Sequence, residues 1–186
     1  DINSEIVDAI SHAGGKAIGI AGNNDNLINA RKLKLKTSNS ESNIEKIIDI
    51  GFVGEPIKLK KEIILDHINK GDIPVIAPLG IDENKFTYNI NADTAAGFIA
   101  GELMASKLLL LTDVSGILDS NKKLISSLSF TEAKEIISKE FISGGMKPKI
   151  QTCIDAMEKG VKKSTILDGR IPHSVILELF TEHGIG

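Results

Sequence analysis

Residues 88–96 read Tyr88-Asn89-Ile90-Asn91-Ala92-Asp93-Thr94-Ala95-Ala96, and residues 108–118 read Leu108-Leu109-Leu110-Leu111-Thr112-Asp113-Val114-Ser115-Gly116-Ile117-Leu118. In the first stretch a polar cluster opens a helix that is rich in small residues. In the second stretch an apolar strand ends in polar residues and a glycine. Ligands of open α/β sheets bind at the carboxyl ends of strands and at helix N-termini. Both stretches therefore place polar groups where an anionic ligand could bind.

The alternation of strands and helices around these stretches predicts an α/β fold with a mostly parallel sheet sandwiched between helices. The turn residues Gly51 and Gly54-Glu55-Pro56 suggest a β-hairpin within 47–59, and a Ser/Asn/Glu-rich segment at 37–46 suggests a surface loop. We predict strands at 16–20, 73–77, 107–112 and 164–167, and helices at 4–13, 59–69, 94–106, 131–139, 148–159 and 172–181.

The composition restricts the class of protein. A chain of 186 residues with 41% apolar residues is long enough for one large domain or two small ones. A net charge of -3 and an aromatic content of 4% argue against a nucleic-acid binder. No apolar run reaches membrane-spanning length and no secretory signal opens the chain, and the single cysteine, Cys153, fits a reducing cytosol. We therefore expect a soluble cytoplasmic protein without a membrane or nucleic-acid partner, and the abrupt start and end suggest a fragment at both termini.

Lys149 is the first candidate for chemistry. It follows Gly144-Gly145-Met146-Lys147-Pro148, in which Pro148 suits the first position of a helix because its missing N–H costs nothing there. Lys149 then lies in the first helical turn, where the helix dipole disfavours a cation unless an anion is bound. A phosphate ligand and a lysine that simply extends into water are both compatible with this position.

Asp93 and Asn89 are the next candidates. The commoner role of an aspartate at this position is the N-cap of the helix at 94–106. The alternative is an acceptor that holds lysine ammonium groups near a transferring phosphoryl group. Asn89 could hydrogen-bond a substrate carboxylate or amide, although an Asn in a turn usually serves the turn itself.

The segment 112–116 either forms a simple turn or wraps a nucleotide, with Gly116 allowing close approach of the backbone. Its position after a buried strand favours the nucleotide. The small residues of the preceding helix, Ala95 to Gly101, favour close helix packing and no chemistry. The four histidines lack the spacing of metal ligands, and neither a P-loop nor a dinucleotide fingerprint occurs. We expect Cys153 to be a core residue and not a nucleophile.

Taken in order, these segments resemble the N-acetylglutamate kinases of the amino-acid kinase superfamily. The resemblance runs through the middle and C-terminal parts of that family. It is carried by Gly51-Phe52-Val53-Gly54-Glu55, Asn89 to Asp93, Thr112 to Gly116, Gly144 to Lys149, Asp168-Gly169-Arg170 and Leu177-Glu178-Leu179-Phe180-Thr181.

The resemblance implies phosphorylation of the side-chain carboxylate of N-acetyl-L-glutamate by ATP, with Mg²⁺ carried on the nucleotide, as a step toward arginine. It implies that Asn89 binds acetylglutamate, that Asp93 orients catalytic lysines and that Lys149 stabilises the transferring phosphoryl group. It assigns residues 1–106 to the substrate lobe and 107–186 to the nucleotide lobe of a homo-oligomeric enzyme. The nucleotide would be held by Thr112, Asp113, Val114, Ser115, Gly116, Ile117 and Leu118, and by Phe141, Ile142, Ser143, Gly145 and Met146.

Two departures from the family accompany this resemblance. The N-terminal part of the family, with its first catalytic lysine and glycine-rich loops, has no counterpart here, so we expect the 186-residue chain alone to be inactive. Thr165 stands where arginine-inhibited members carry His, whereas Glu178 and Gly184 match their effector site. A kinase of carbamate, UMP or another carboxylate, and an inactive sensor of arginine or nucleotide, remain alternatives.

Overall fold

The computed structural model describes residues 1–38, 45–139, 141–142, 144–181 and 184–186. The chain forms two compact units, Asp1–Ala95 and Ala96–Gly186. The assignment of substrate binding to 1–106 and of nucleotide binding to 107–186 stays a prediction.

The N-terminal unit begins with helix α1, Ile2–His12, whose first turn is capped by the side chain of Asp1. Strand β1, Ala17–Ala21, pairs in parallel with β4, Ile73–Ala77, and helix α2, Lys61–Asn69, precedes β4. Pro74 lies in β4, as the sequence predicts, near the start of the strand where a missing N–H is tolerated.

A small closed barrel completes this unit. Its strands are β2, Ile28–Ser38, β3, Glu45–Leu59, β5, Leu79–Ile81, and β6, Thr87–Ile90, in the order β2-β3-β6-β5. The predicted hairpin within 47–59 is wrong, because β3 is one strand that pairs antiparallel with β2. The register shifts between Lys32 and Lys34, opposite the stretch of β3 that contains Gly51, whose φ of +78° favours glycine. The turn residues thus mark an irregularity inside the strand. Residues 39–44 of the predicted loop lie outside the described residues.

The C-terminal unit is built on strands β7, Lys107–Thr112, and β8, Lys163–Asp168, which pair in parallel. Its helices are α4, Phe130–Ile136, α5, Met146–Glu158, and α6, Ser174–Phe180, together with most of α3, Ala92–Glu102. The core is apolar and is formed by Ala100, Leu108, Leu110, Ile136, Ile142, Ile150, Ile154, Ala156, Val161 and Ile166.

Small residues let α3 approach α5 closely, as the sequence predicts. A Cβ atom on Gly97 would lie 2.3 Å from Cγ2 of Thr152, and one on Gly101 would lie 2.7 Å from Cδ of Lys159. Helix α3 ends four residues earlier than predicted, and Met104, with φ +47°, follows its end. The α/β class is confirmed by the alternation of strands and helices and by the parallel pairs β1–β4 and β7–β8.

Candidate active site

Strands β7 and β8 end side by side. Thr112 is the register partner of Asp168, and the N–H of Gly169 donates to the carbonyl oxygen of Thr112 at 2.8 Å. The segments that follow Thr112 and Asp168 therefore leave the sheet at the same edge. This edge is the place where ligands bind in parallel α/β sheets.

The predicted nucleotide segment 112–118 leads from this edge into a tight hairpin. The N–H of Ile125 donates to the carbonyl oxygen of Ile117 at 2.8 Å, and Leu118 forms a β-bridge with Leu124. Gly116 has a φ of +126°, a backbone conformation that favours glycine, and a Cβ there would lie 2.9 Å from Cδ1 of Leu124, which would have to shift. The segment Asp113 to Ser115 is exposed, whereas the partly buried Ile117 packs against the core.

The second predicted nucleotide segment leads into α5. Phe141 is exposed and Ile142 is buried, whereas Ser143 lies outside the described residues. Gly145 is the N-cap of α5, and it has no side chain with which to accept a hydrogen bond from the first turn. A Cβ on Gly144 or on Gly145 would meet nothing within 4 Å. A helix N-terminus whose N-cap residue offers no side-chain acceptor is suited to an anion, because the first N–H groups have no partner inside the helix.

Lys149 is the fourth residue of α5, because the helix begins at Met146. The prediction that Pro148 opens the helix is wrong, since Gly144, with φ +59°, and the N-cap Gly145 let it begin two residues earlier. Pro148 is still within the first turn, where N–H groups have no partner inside the helix. Lys149 lies in this first turn, as the sequence predicts, and it is half-buried.

Asn89 and Asp93 belong to the N-terminal unit. Asn89 lies in β6, between Val53 of β3 and Leu79 of β5, so its assignment to a turn is wrong. Its side chain is exposed, while Tyr88 and Ile90 on either side are buried. The alternation typical of a strand therefore points Asn89 away from the core of the barrel.

Asp93 does not act as the N-cap of α3. The helix begins at Ala92, and the side chain of Asn91 accepts the hydrogen bond from the N–H of Thr94 at 3.1 Å. Asp93 is half-buried in the first turn, where a negative charge interacts favourably with the helix dipole. Because Asn91 supplies the cap, a capping role does not account for Asp93.

The predicted effector residues form a compact cluster in the C-terminal unit. Glu178 is 3% exposed, and its Oε1 accepts hydrogen bonds from Nζ of Lys163 at 2.7 Å and from Oγ1 of Thr165 at 3.2 Å. Its Oε2 accepts from the N–H groups of Ile185 and Gly186 at 3.1 and 3.4 Å. Burial raises the pKa of Glu178, but these hydrogen bonds outweigh it and hold the pKa below its ordinary value.

The orientation of α6 differs from the one that its sequence pattern predicts. The sequence pattern assigns Val175, Ile176, Leu179 and Phe180 to the core and Glu178 to the polar side, yet Ile176, Leu179 and Phe180 are exposed. The helix instead buries Ser174 and Glu178 because the chain supplies donors for the carboxylate. Gly184 lies beside it, and a Cβ there would come 2.2 Å from Oε2 of Glu178.

A cavity of about 390 Å³ lies in the same unit, between the 116–130 segment, α4, α5 and β8. Gly116 and Ile117 of the predicted nucleotide segment contact it, and so does Thr165 of the effector cluster. Ser164 also lines it, and the buried Oγ of Ser164 has no hydrogen-bond partner among the described residues. Cys153 lines the cavity and packs against the core, in agreement with its predicted place in the core.

Asp168 and Arg170 form a pair that the sequence patterns do not predict. Oδ1 of Asp168 accepts from the N–H and the Nε of Arg170 at 3.0 and 2.9 Å, and Oδ2 accepts from Nη2 at 2.7 Å. These hydrogen bonds lower the pKa of Asp168 to about 2. An Asp-x-Arg sequence that begins at the last residue of a buried strand is the signal that could have indicated this pair.

Two general features complete the description. No set of three or more His, Cys, Asp or Glu side chains that could hold a metal ion occurs within the described ranges. In the same part of the chain, no helix is long and apolar enough to cross a membrane.

Comparison with known proteins shows close relatives along the whole chain. Acetylglutamate kinase of Parvibaculum lavamentivorans is 54% identical over 186 residues, which are 100% of this chain and 61% of that protein. Acetylglutamate kinase of Rhodospirillum rubrum is 50% identical over 185 residues, which cover 100% of this chain and 60% of that protein. The chain thus spans about three fifths of the length of these relatives.

Solved structures show the same fold. N-acetylglutamate synthase from Neisseria gonorrhoeae, complexed with coenzyme A and N-acetyl-glutamate, matches with a TM-score of 0.82 at 26% identity, over 98% of this chain and 39% of that chain. Carbamate kinase of Giardia matches with a TM-score of 0.62 at 17% identity, over 89% of this chain and 61% of the carbamate kinase chain. At this level of identity the match shows a similar fold and no more. The sequence profile described as "Amino acid kinase family" matches residues 1–168, so the chain belongs to the amino acid kinase family.

Proposed function

We propose that the protein containing this chain transfers the γ-phosphoryl group of ATP to the side-chain carboxylate of N-acetyl-L-glutamate. The observation that carries the proposal is the identity of 50–54% to acetylglutamate kinases along the entire chain. The expected products are ADP and an acyl phosphate. A carboxylate oxygen bonds to the γ-phosphorus, and the bond between the γ-phosphorus and the β–γ bridging oxygen breaks, so that this oxygen leaves with ADP. This chemistry serves the biosynthesis of arginine.

The geometry of the C-terminal unit supports a nucleotide site. The sheet edge after Thr112 and the N-terminus of α5, whose N-cap is a glycine, are both suited to phosphate groups. Among the described residues, a Cβ on Gly144 or Gly145 would meet nothing within 4 Å, so the backbone there is open on that side. Residues 112–118 and 141–146, Ser143 included, are the proposed nucleotide contacts. Mg²⁺ would arrive on the phosphates and neutralise part of their charge.

The roles of three side chains follow from phosphoryl transfer, in which positioning and charge neutralisation dominate. We assign Lys149 to the charge on the transferring group, Asp93 to the orientation of lysine ammonium groups, and Asn89 to the substrate. Asn89 is exposed on β6, and Lys149 is half-buried in the first turn of α5. A homo-oligomer in the cytoplasm is part of the same proposal and rests on the family resemblance.

Hydroxamate trapping of the acyl phosphate tests the proposed reaction. The longer protein is incubated with MgATP and, in parallel, with acetylglutamate, carbamate, UMP and acetylaspartate. We expect hydroxamate with acetylglutamate and about equimolar ADP. Phosphorylation of carbamate or UMP without product from acetylglutamate would replace this function by one of the alternatives, and binding of ATP without any turnover would indicate an inactive sensor.

A second proposal concerns L-arginine as a feedback inhibitor that contacts Thr165, Glu178 and Gly184. It is favoured by the buried carboxylate of Glu178 and by the close approach of Gly184. The similar synthase of Neisseria gonorrhoeae, 27% identical, has a structure complexed with L-arginine. A guanidinium or ammonium group of the effector would have to replace Lys163 at Oε1, which predicts weak binding.

An arginine titration of the kinase activity tests the effector proposal. Wild type, Thr165→His and Glu178→Gln are compared at saturating ATP. We expect inhibition of wild type only at millimolar arginine, the weak end of ligand affinity, tighter inhibition of Thr165→His, and none of Glu178→Gln. Activity of all three variants that does not change with arginine would exclude the site.

A further inference from the structure

Asp168 and Arg170 form a fixed pair at the proposed nucleotide edge. Asp168 is the last residue of β8, and 8% of its side chain is exposed. Its two oxygens bind Nε and Nη2 of Arg170 at 2.9 and 2.7 Å. A guanidinium held at both nitrogens has one orientation, because its fork is planar and rigid.

The pair stands next to the segment that follows β7. Thr112 is the register partner of Asp168, and Gly169 donates its N–H to the Thr112 carbonyl. Asp168 is the main cause of the raised pKa of Arg170, and the charge of Asp113 adds to it. Arg170 is thus close to the first residues of the proposed nucleotide segment.

Arg170 retains hydrogen-bonding capacity on its outer edge. A guanidinium has five N–H donors, and Asp168 takes one at Nε and one at Nη2. The side chain of Arg170 is 61% exposed. The side chain of Asp168 is buried and that of Arg170 is exposed, so the carboxylate orients the guanidinium at the strand end while its outer edge faces solvent.

We propose that Arg170 is a nucleotide-binding residue that donates from its outer edge to a phosphate group of ATP, with Asp168 as its positioning residue. The inference rests on the proposed kinase function. It adds Arg170 to Lys149 as a second cation of the proposed phosphate site. The guanidinium fork matches two oxygens of one phosphate, and a guanidinium is positively charged at all relevant pH values.

Nucleotide titration by calorimetry with the longer protein tests the inference. ATP, ADP, AMP and adenosine are titrated into wild type, Arg170→Gln and Arg170→Lys. The matched control is Arg31→Gln, because Arg31, the only other arginine in the sequence, also pairs with a carboxylate, that of Glu55 in the N-terminal unit.

We expect Arg170→Gln to weaken the binding of at least one phosphorylated nucleotide about ten- to a hundredfold, the usual effect of losing a hydrogen bond to a charged group. Adenosine binding and the KM for acetylglutamate should not change, and Arg170→Lys should recover part of the affinity. Arg31→Gln should match wild type.

The outcomes separate this inference from the kinase proposal. If Arg170→Gln binds every nucleotide as tightly as wild type does, Arg170 pairs with Asp168 but does not bind nucleotide, and the inference is overturned. Equal weakening of adenosine and ATP would show a general disturbance of the site and would also overturn the inference. Failure of wild type to bind any nucleotide would instead contradict the proposed kinase function.

Discussion

The ammonium group of Lys163 lies 2.7 Å from Oε1 of Glu178. A half-exposed lysine at the start of β8 therefore neutralises the buried carboxylate of a residue in α6. The two side chains differ in environment, with 54% of the lysine side chain exposed and 1% of the glutamate side chain. Burial of a carboxylate is costly unless its oxygens are paired, and here each oxygen accepts two hydrogen bonds.

Replacement of Glu178 by Gln should destabilise the protein by about 1–3 kcal/mol, because an amide group cannot accept at both ends and leaves buried donors without a partner. The measurement is the free energy of unfolding in urea. The control is Glu158→Gln, which removes the same charge from the exposed end of α5 and should cost less than about 0.5 kcal/mol. Equal effects of the two substitutions would contradict the buried environment of Glu178.

Acid should weaken the fold partly through Asp168. Its folded pKa of about 2 lies below the ordinary value of 3.8, so the unfolded chain binds more protons between these values. The stability that Asp168 contributes is complete above about pH 5 and is lost as the pH falls toward 2. Asp168→Asn should flatten the pH dependence of the urea midpoint between about pH 4.5 and 2.5. Part of the slope should remain, because the pKa of Glu178 is also lowered. Parallel profiles of wild type and variant would argue against the Asp168–Arg170 pairing.

Lys149→Ala should lower kcat about a hundredfold or more with a smaller change in KM, because its charge is proposed to act in the transition state. The control is Lys147→Ala, which removes an exposed lysine from the same helical turn and should leave kcat nearly unchanged. If the kcat of Lys149→Ala equals that of the control, Lys149 has no catalytic role.

Substitutions of Asn91 and Asp93 should have different effects, the first on stability and the second on kcat. Asn91→Ala should cost about 1 kcal/mol of stability, because it removes the cap of α3. Asp93→Asn should change stability less but should lower kcat, since Asp93 is not the cap. Urea unfolding and steady-state kinetics on both variants provide the comparison. If Asp93→Asn loses more stability than Asn91→Ala and keeps its kcat, the role of Asp93 is structural and the catalytic assignment is contradicted.

The sequence predicts the order of elements well where apolar runs are long. Strands β4 and β7 lie where the apolar runs at Ile73 to Ala77 and Lys107 to Thr112 predict them. Helix α6 shows the limit of such patterns. Periodicity counts apolar side chains, whereas the orientation of α6 depends on polar partners from β8 and from residues 185–186.

The candidate site shows the same division. The glycines at 144–145 and 116 and the first-turn position of Lys149 can be read from the sequence, since they follow from local backbone requirements. The cap of α3 by Asn91 and the pairing of Asp168 with Arg170 depend on where a strand or helix begins or ends to within one or two residues. Sequence patterns do not resolve boundaries that finely.

The hydrogen bonds of Glu178 to residues 185 and 186 set an uneven tolerance to substitution in this segment. Position 185 contributes a backbone N–H to the carboxylate, so every residue type except proline can supply it. Position 184 needs glycine both for its φ of +62° and for the space beside Oε2. At position 186 any Cβ would come 2.2 Å from Cγ2 of Thr165. The buried acid thus restricts position 184 to glycine, the packing against β8 restricts position 186, and position 185 is bound to the acid through its backbone alone.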